Sequence, residues 1–108
     1  MTGSTRPPGF DESRDATPEE LDALPEISQQ ALQTLDQCIK SHHVVEIDYT
    51  DAEGRRSTIP LRPFYIRYSN AHNLVVWGMP TNEPGWEELR FDRIHGVRDT
   101  GEVFTPNW

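Results

Sequence analysis

The spacing of apolar residues along this chain changes once, near residue 43. Before it, Ile27, Ala31, Leu32, Leu35, Cys38 and Ile39 recur at intervals of three and four, and Gln29, Gln30, Gln33, Asp36 and Lys40 fall mostly elsewhere. That pattern predicts a helix with one apolar stripe. Pro25 opens it and Glu26 places an anion in the first turn, where the helix dipole favours one. The helix should end near Ser41 or His42. A shorter helix is expected ahead of it, from Pro18 to about Leu24. There Thr17-Pro18-Glu19-Glu20 supplies an N-cap, a proline at the first helical position and the glutamate of a capping box. A lone amphipathic helix needs a partner surface, so the longer one is expected to plug the open end of a sheet.

After residue 43 the period falls to two, as in strands. Val45, Ile47 and Tyr49 alternate with Val44, Glu46 and Asp48, and Asp51-Ala52-Glu53-Gly54 closes a hairpin. The next strand starts near Arg55 and turns Ile59 and Leu61 inward. Pro60 and Pro63 cannot donate to a central ladder, so this strand should lie at an edge or bend there. Phe64, Ile66 and Tyr68 resume the alternation, and residues 69–73 form a turn. Leu74 to Trp77 is apolar on both faces, so both faces should be covered. Trp86 to Phe91 makes a strand that turns sharply at Asp92, and Ile94 to Arg98 makes the last one, before Asp99-Thr100-Gly101 turns the tail. The expected fold class is mainly β: a small, strongly bent antiparallel barrel of about five strands over residues 43–104, preceded by one or two helices within 18–41.

Composition narrows the organisation. Residues 1–16 are polar, proline- and glycine-rich, with Phe10 as the one aromatic, so they read as a flexible tail ahead of a single domain at 17–108. The one cysteine, Cys38, cannot form an internal disulfide. The N-terminus carries no apolar signal core, and the apolar runs are too short to cross a bilayer, so a cytoplasmic protein without membrane attachment is expected. The formal net charge of -8 argues against a general nucleic-acid binder. The charge is uneven, however: residues 1–42 carry eight acids and three bases, residues 43–108 ten acids and seven bases, all seven of them arginine.

No catalytic constellation stands out: there is no Cys-x-x-Cys, His-Glu-x-x-His, glycine-rich phosphate loop or Gly-x-Ser-x-Gly. Neither an enzyme activity, a cofactor nor a metal is expected. His42 and His43 read as solvated residues at a helix end, and Cys38 as a small core residue. Arg55 and Arg56 suit solvated partners of Asp51 or Glu53, and Arg98 lies next to Asp99. Arg62, Arg67, Arg90 and Arg93 differ, because they interleave with Phe64, Tyr65, Tyr68 and Trp86. Guanidinium groups among aromatic faces suit the stacking recognition of a nucleotide or single-stranded base. The candidate ligand-binding set is therefore Arg62, Tyr65, Arg67, Arg90 and Arg93. Pairing of these arginines with Glu87, Glu88 and Asp92, to stitch strands together, is the other reading.

Glu46-Ile47-Asp48-Tyr49, the Gly54 turn, Pro63-Phe64-Tyr65-Ile66 and the run Arg90-Phe91-Asp92-Arg93-Ile94 together resemble the WYL-domain family of bacterial regulatory modules, over roughly residues 31–104. The last run looks like that family's closing arginine motif. Asn73-Leu74-Val75 stands where the family carries Trp-Tyr-Leu, with the nearby aromatic displaced to Trp77. The resemblance implies a Sm-like barrel. It also implies a sensor of nucleotides or nucleic-acid fragments in transcription regulation or phage defence. Residues 1–42 hold too little helix for the helix-turn-helix head that such modules often carry. The expectation is thus a stand-alone module binding a small anionic ligand, such as a nucleotide or short single-stranded nucleic acid, with its output passed through a regulatory protein partner or a homodimer. The competing expectation is a protein–protein interaction module, an accessory subunit of a regulatory or defence complex, docking through a barrel edge or the acidic N-terminal segment.

Overall fold

The computed structural model describes residue 7 and residues 9–106. The capping box forms as expected: Glu20 N–H donates to Thr17 Oγ1 at 3.2 Å and Thr17 N–H to the Glu20 carboxylate at 2.9 Å. It starts α1 (Pro18–Asp22), which ends before Leu24. α2 spans Glu26–Ser41 and buries Ser28, Ala31, Leu35 and Cys38. The stripe is centred there, which leaves Ile27 46% exposed at its margin. His42 ends the helix in the left-handed conformation (φ 59°), with its N–H on the Cys38 carbonyl, and the chain enters β1 at once.

The strands are β1 (His43–Thr50), β2 (Arg56–Tyr68), β3 (Leu74–Pro80), β4 (Glu87–Arg90) and β5 (Ile94–Val103). A three-residue 3-10 turn, Phe91–Arg93, joins β4 to β5. All pairings are antiparallel, in the order β4-β3-β2-β1-β5. β2 is therefore central, which removes the edge alternative for Pro60 and Pro63 and leaves the bend. Its first half pairs with β1 as far as Leu61, and its second half pairs with β3 from Leu61 onward, with an irregularity at Phe64. Pro60 precedes the second ladder and Pro63 follows the first, so each proline is laddered on one side only. β5 also departs from expectation. It runs on through residues 99–101 to Val103, absorbing a bulge opposite His43 and Val45.

The sheet is five-stranded, mainly antiparallel β with two helices, but it is not a closed barrel. Among the described residues no ladder joins β4 to β5, the two edges. The expected Sm-like barrel is corrected to an open, bent sheet for a local reason. The Phe91–Arg93 turn carries the chain straight from one edge to the other, and the Arg90 N–H at the end of β4 donates to the hydroxyl of Tyr49 on β1, at 3.0 Å, rather than to a backbone carbonyl of β5. α2 packs on β1, β2 and β5. Leu35, Val45, Ile47, Leu61, Val76, Leu89 and Phe91 fill the core beneath it.

The flexible tail expected over residues 1–16 falls partly, at 1–6 and 8, outside the described residues. Residues 9–16 lie against the sheet. Phe10–Glu12 forms a 3-10 turn. Arg14 then pairs with Tyr68 as an isolated antiparallel bridge, with N···O distances of 2.9 and 2.7 Å. The opening arises because β1 leaves β2 at Leu61, so the far end of β2 offers unpaired backbone groups that Arg14 satisfies.

Candidate functional site

Cross-strand register decides which candidate residues share a face. Tyr65 lies opposite Trp77 and Trp77 opposite Glu88; one row along, Arg67 lies opposite Val75 and Val75 opposite Arg90. The intervening Ile66, Val76 and Leu89 point into the core. Tyr65, Arg67 and Arg90 thus stand on the outer face of β2–β3–β4, in adjacent rows. Arg67 and Arg90 lie two strands apart, about 10 Å by strand spacing. Trp77 and Val75 on that face are nevertheless 3% and 1% exposed, so β3 is covered on both faces, as its sequence requires.

The cover is the N-terminal segment. The Phe10 ring meets Tyr65 edge-on at 4.8 Å between centroids and lies 6.1 Å from Trp77. The Arg67 guanidinium sits 4.4 Å from the Phe10 centroid. It also donates to Ser13 Oγ (3.0 Å), the Ser13 carbonyl (2.9 Å) and Asp15 Oδ1 (3.0 Å). An aromatic ring and a carboxylate of the chain itself therefore fill the slot between Tyr65, Trp77 and Arg67. Trp86 extends the aromatic surface, 6.0 Å from Tyr65 and 5.3 Å from Phe64.

The remaining candidates separate. Arg90 is held by Asp92 through Nε–Oδ1 at 3.0 Å and a second contact at 2.5 Å. That bond, ahead of the Asp92 charge, raises the guanidinium pKa further. Arg62 donates to the Met79 and Pro80 carbonyls at 3.2 and 2.9 Å and ties β2 to the end of β3. The Arg93 side chain makes no hydrogen bond or ion pair among the described residues. Its charge adds to the Arg55 and Glu53 backbone N–H groups that hold Asp51 below the usual carboxylate range. The sheet thus brings Tyr65, Arg67 and Arg90 together and leaves Arg62 and Arg93 elsewhere.

Sequence reasoning missed Phe10, Asp15 and Trp77 as parts of this face. The signal for them was the two-faced apolarity of β3, which demanded a cover the rest of the chain did not supply. Asn73 and Leu74 line a different concavity of about 440 Å³ with Leu24, Tyr68, Phe91 and Asp92. Its rim carboxylates Glu20 and Asp92 are each tied to an arginine, Arg14 and Arg90.

No protein-family profile matches the chain, and no curated protein matches it either. Among solved structures, proteasome accessory factor B/C (PafBC) of Arthrobacter aurescens, which contains a WYL domain, superposes with a TM-score of 0.66 at 14% identity, over 85% of this chain. The match spans 13% of the PafBC chain. At that identity the likeness is one of fold, and it agrees with a WYL-like architecture.

Proposed function

We propose that this chain is a WYL-type regulatory module whose outer β2–β3–β4 face takes a small ligand with an aromatic body and an anionic group, such as a nucleotide or a short single strand. The observation that carries the reading is the occupancy of that face by Phe10 and Asp15. A ring lies against Tyr65 and Trp77 with a guanidinium beside it, and a carboxylate meets the same guanidinium. A base and its phosphate present the same two chemical features. Asp15 is 88% exposed and its contact with Arg67 is a surface ion pair, a weak tie that a phosphate can displace. Arg90, in the same row as Arg67 and two strands away, can exchange Asp92 for a second anionic group. The net charge of -8 repels long polyanions and favours a small ligand. Displacement of residues 9–16 is then the regulatory signal.

Calorimetric titration with mononucleotides and short oligonucleotides tests the reading. Binding should weaken as salt rises, disappear in Arg67→Glu/Arg90→Glu, and strengthen in Phe10→Ala/Asp15→Asn, where the internal occupant is weakened. Equal binding in all three proteins, or none in any, contradicts it.

A further inference from the structure

Away from the outer face, three chemically different donors meet where α2 hands over to β1. Cys38 lies in the last turns of α2 and is 1% exposed. His42 closes the helix in a left-handed turn (φ 59°) that sends the chain straight back, so His43 begins β1 beside Cys38. Asp99 arrives from β5 at the bulge, where His43 pairs with Val103 and Val45 with Asp99. The His43 Nδ1 lies 3.1 and 3.2 Å from the two Asp99 oxygens. One donor atom each from Cys38, His43 and Asp99 falls within 4.8 Å of the others.

We propose that Cys38, His43 and Asp99 bind one thiophilic divalent cation, Zn2+ by the character of the donors. Bonds of about 2.0–2.3 Å around a tetrahedral ion place its donors about 3.5 Å apart, so a contraction of about 1 Å closes the set. A thiolate, a carboxylate and a neutral imidazole carry two negative charges, which a dication cancels in a half-buried position. Sulfur and imidazole select a borderline-soft ion over Mg2+ or Ca2+. The surroundings hold the ligands in place as outer contacts do in metal sites. Gly101 N–H donates to Asp99 Oδ1 at 2.8 Å. Phe104 N–H holds the His42 carbonyl at 2.9 Å, and the His42 ring packs edge-on against Phe104. Cys38 ligates as a thiolate, so metal binding releases the thiol proton to solvent and replaces the His43–Asp99 hydrogen bond. Three protein donors leave a fourth position for water or an incoming group.

The chain has one cysteine, so a thiolate-to-metal absorption can come from Cys38 alone. Titrating the chelator-treated full chain with Co2+ should produce a near-ultraviolet charge-transfer band that saturates at one ion per chain and is erased by Zn2+. The exchanges His43→Gln and Asp99→Asn alter side chains outside the core and should each weaken binding by at least about tenfold, with circular dichroism unchanged. Three results overturn the proposal: absence of the band, saturation at half an ion per chain, or an unaltered midpoint in both folded variants.

Discussion

Gly78 lies opposite Pro63, beside the point where β2 changes partners. A Cβ there would sit 2.7 Å from Leu61 Cγ and closer still to the Arg62 carbonyl oxygen. Backbone cannot yield as a side-chain tip can, so Gly78→Ala should cost about 3 kcal/mol of stability, read as a lowered urea midpoint. An unchanged midpoint would show that the two strands separate there freely. Glu20 allows a pH test. Its contact with Arg14, followed by the Thr17 N–H, holds its carboxyl at about 2, below the ordinary 4.5. A group lowered in the folded state stabilises it above the unfolded value and loses that contribution as pH falls toward the folded value. Melting temperature should accordingly fall between about pH 4.5 and pH 2, and less steeply in Glu20→Gln; identical acid limbs would remove Glu20 from the account. The capping contact was legible in four consecutive residues. Arg67 was not, because its Ser13 partner is 54 positions away and no periodicity encodes that distance.

At the scale of elements, the N-terminal segment carries the sharpest expectation. Read as a tail it would be dispensable, yet Phe10 contributes its ring to Tyr65, Trp77 and Arg67. Phe10→Ala should cost about 2 kcal/mol, less than a fully buried phenylalanine because the ring is only half-buried. The melting temperature should drop by about 10 °C, and the emission of Trp77, now shielded, should shift to the red. An unchanged melting temperature would return residues 9–16 to the status of a tail. The bounds of α2 and the alternation of β1 were legible because helix and strand periods are local properties. The continuity of β2 through two prolines was not, since it depends on which neighbour each half meets. The extension of β5 past Asp99 was hidden for the same reason: a bulge opposite His43 is set by the partner strand.

The molecule as a whole is an open five-stranded sheet sealed by α2 and, on its outer face, by its own N-terminal segment. Bent antiparallel β architecture could be read from strand lengths and turn residues. Closure could not, because it depends on whether the two edge strands ladder, and the short Phe91–Arg93 link joins them without doing so. The same topology decides where the candidate residues stand. Tyr65, Arg67 and Arg90 converge through register, while Arg62 and Arg93 are drawn to backbone carbonyls and to the neighbourhood of Asp51. Residues 9–16 cover the outer face, and under the proposed function they leave it when ligand binds. Backbone and indole NMR shifts, followed while a nucleoside triphosphate is titrated into the full chain, test it directly. Tyr65, Arg67, Trp77 and Arg90 should show saturable shifts, with the signals of residues 9–15 moving together toward random-coil positions. Shifts confined to the concavity around Asn73 and Leu74, or a bound state in which residues 9–15 keep their free-state positions, would contradict it.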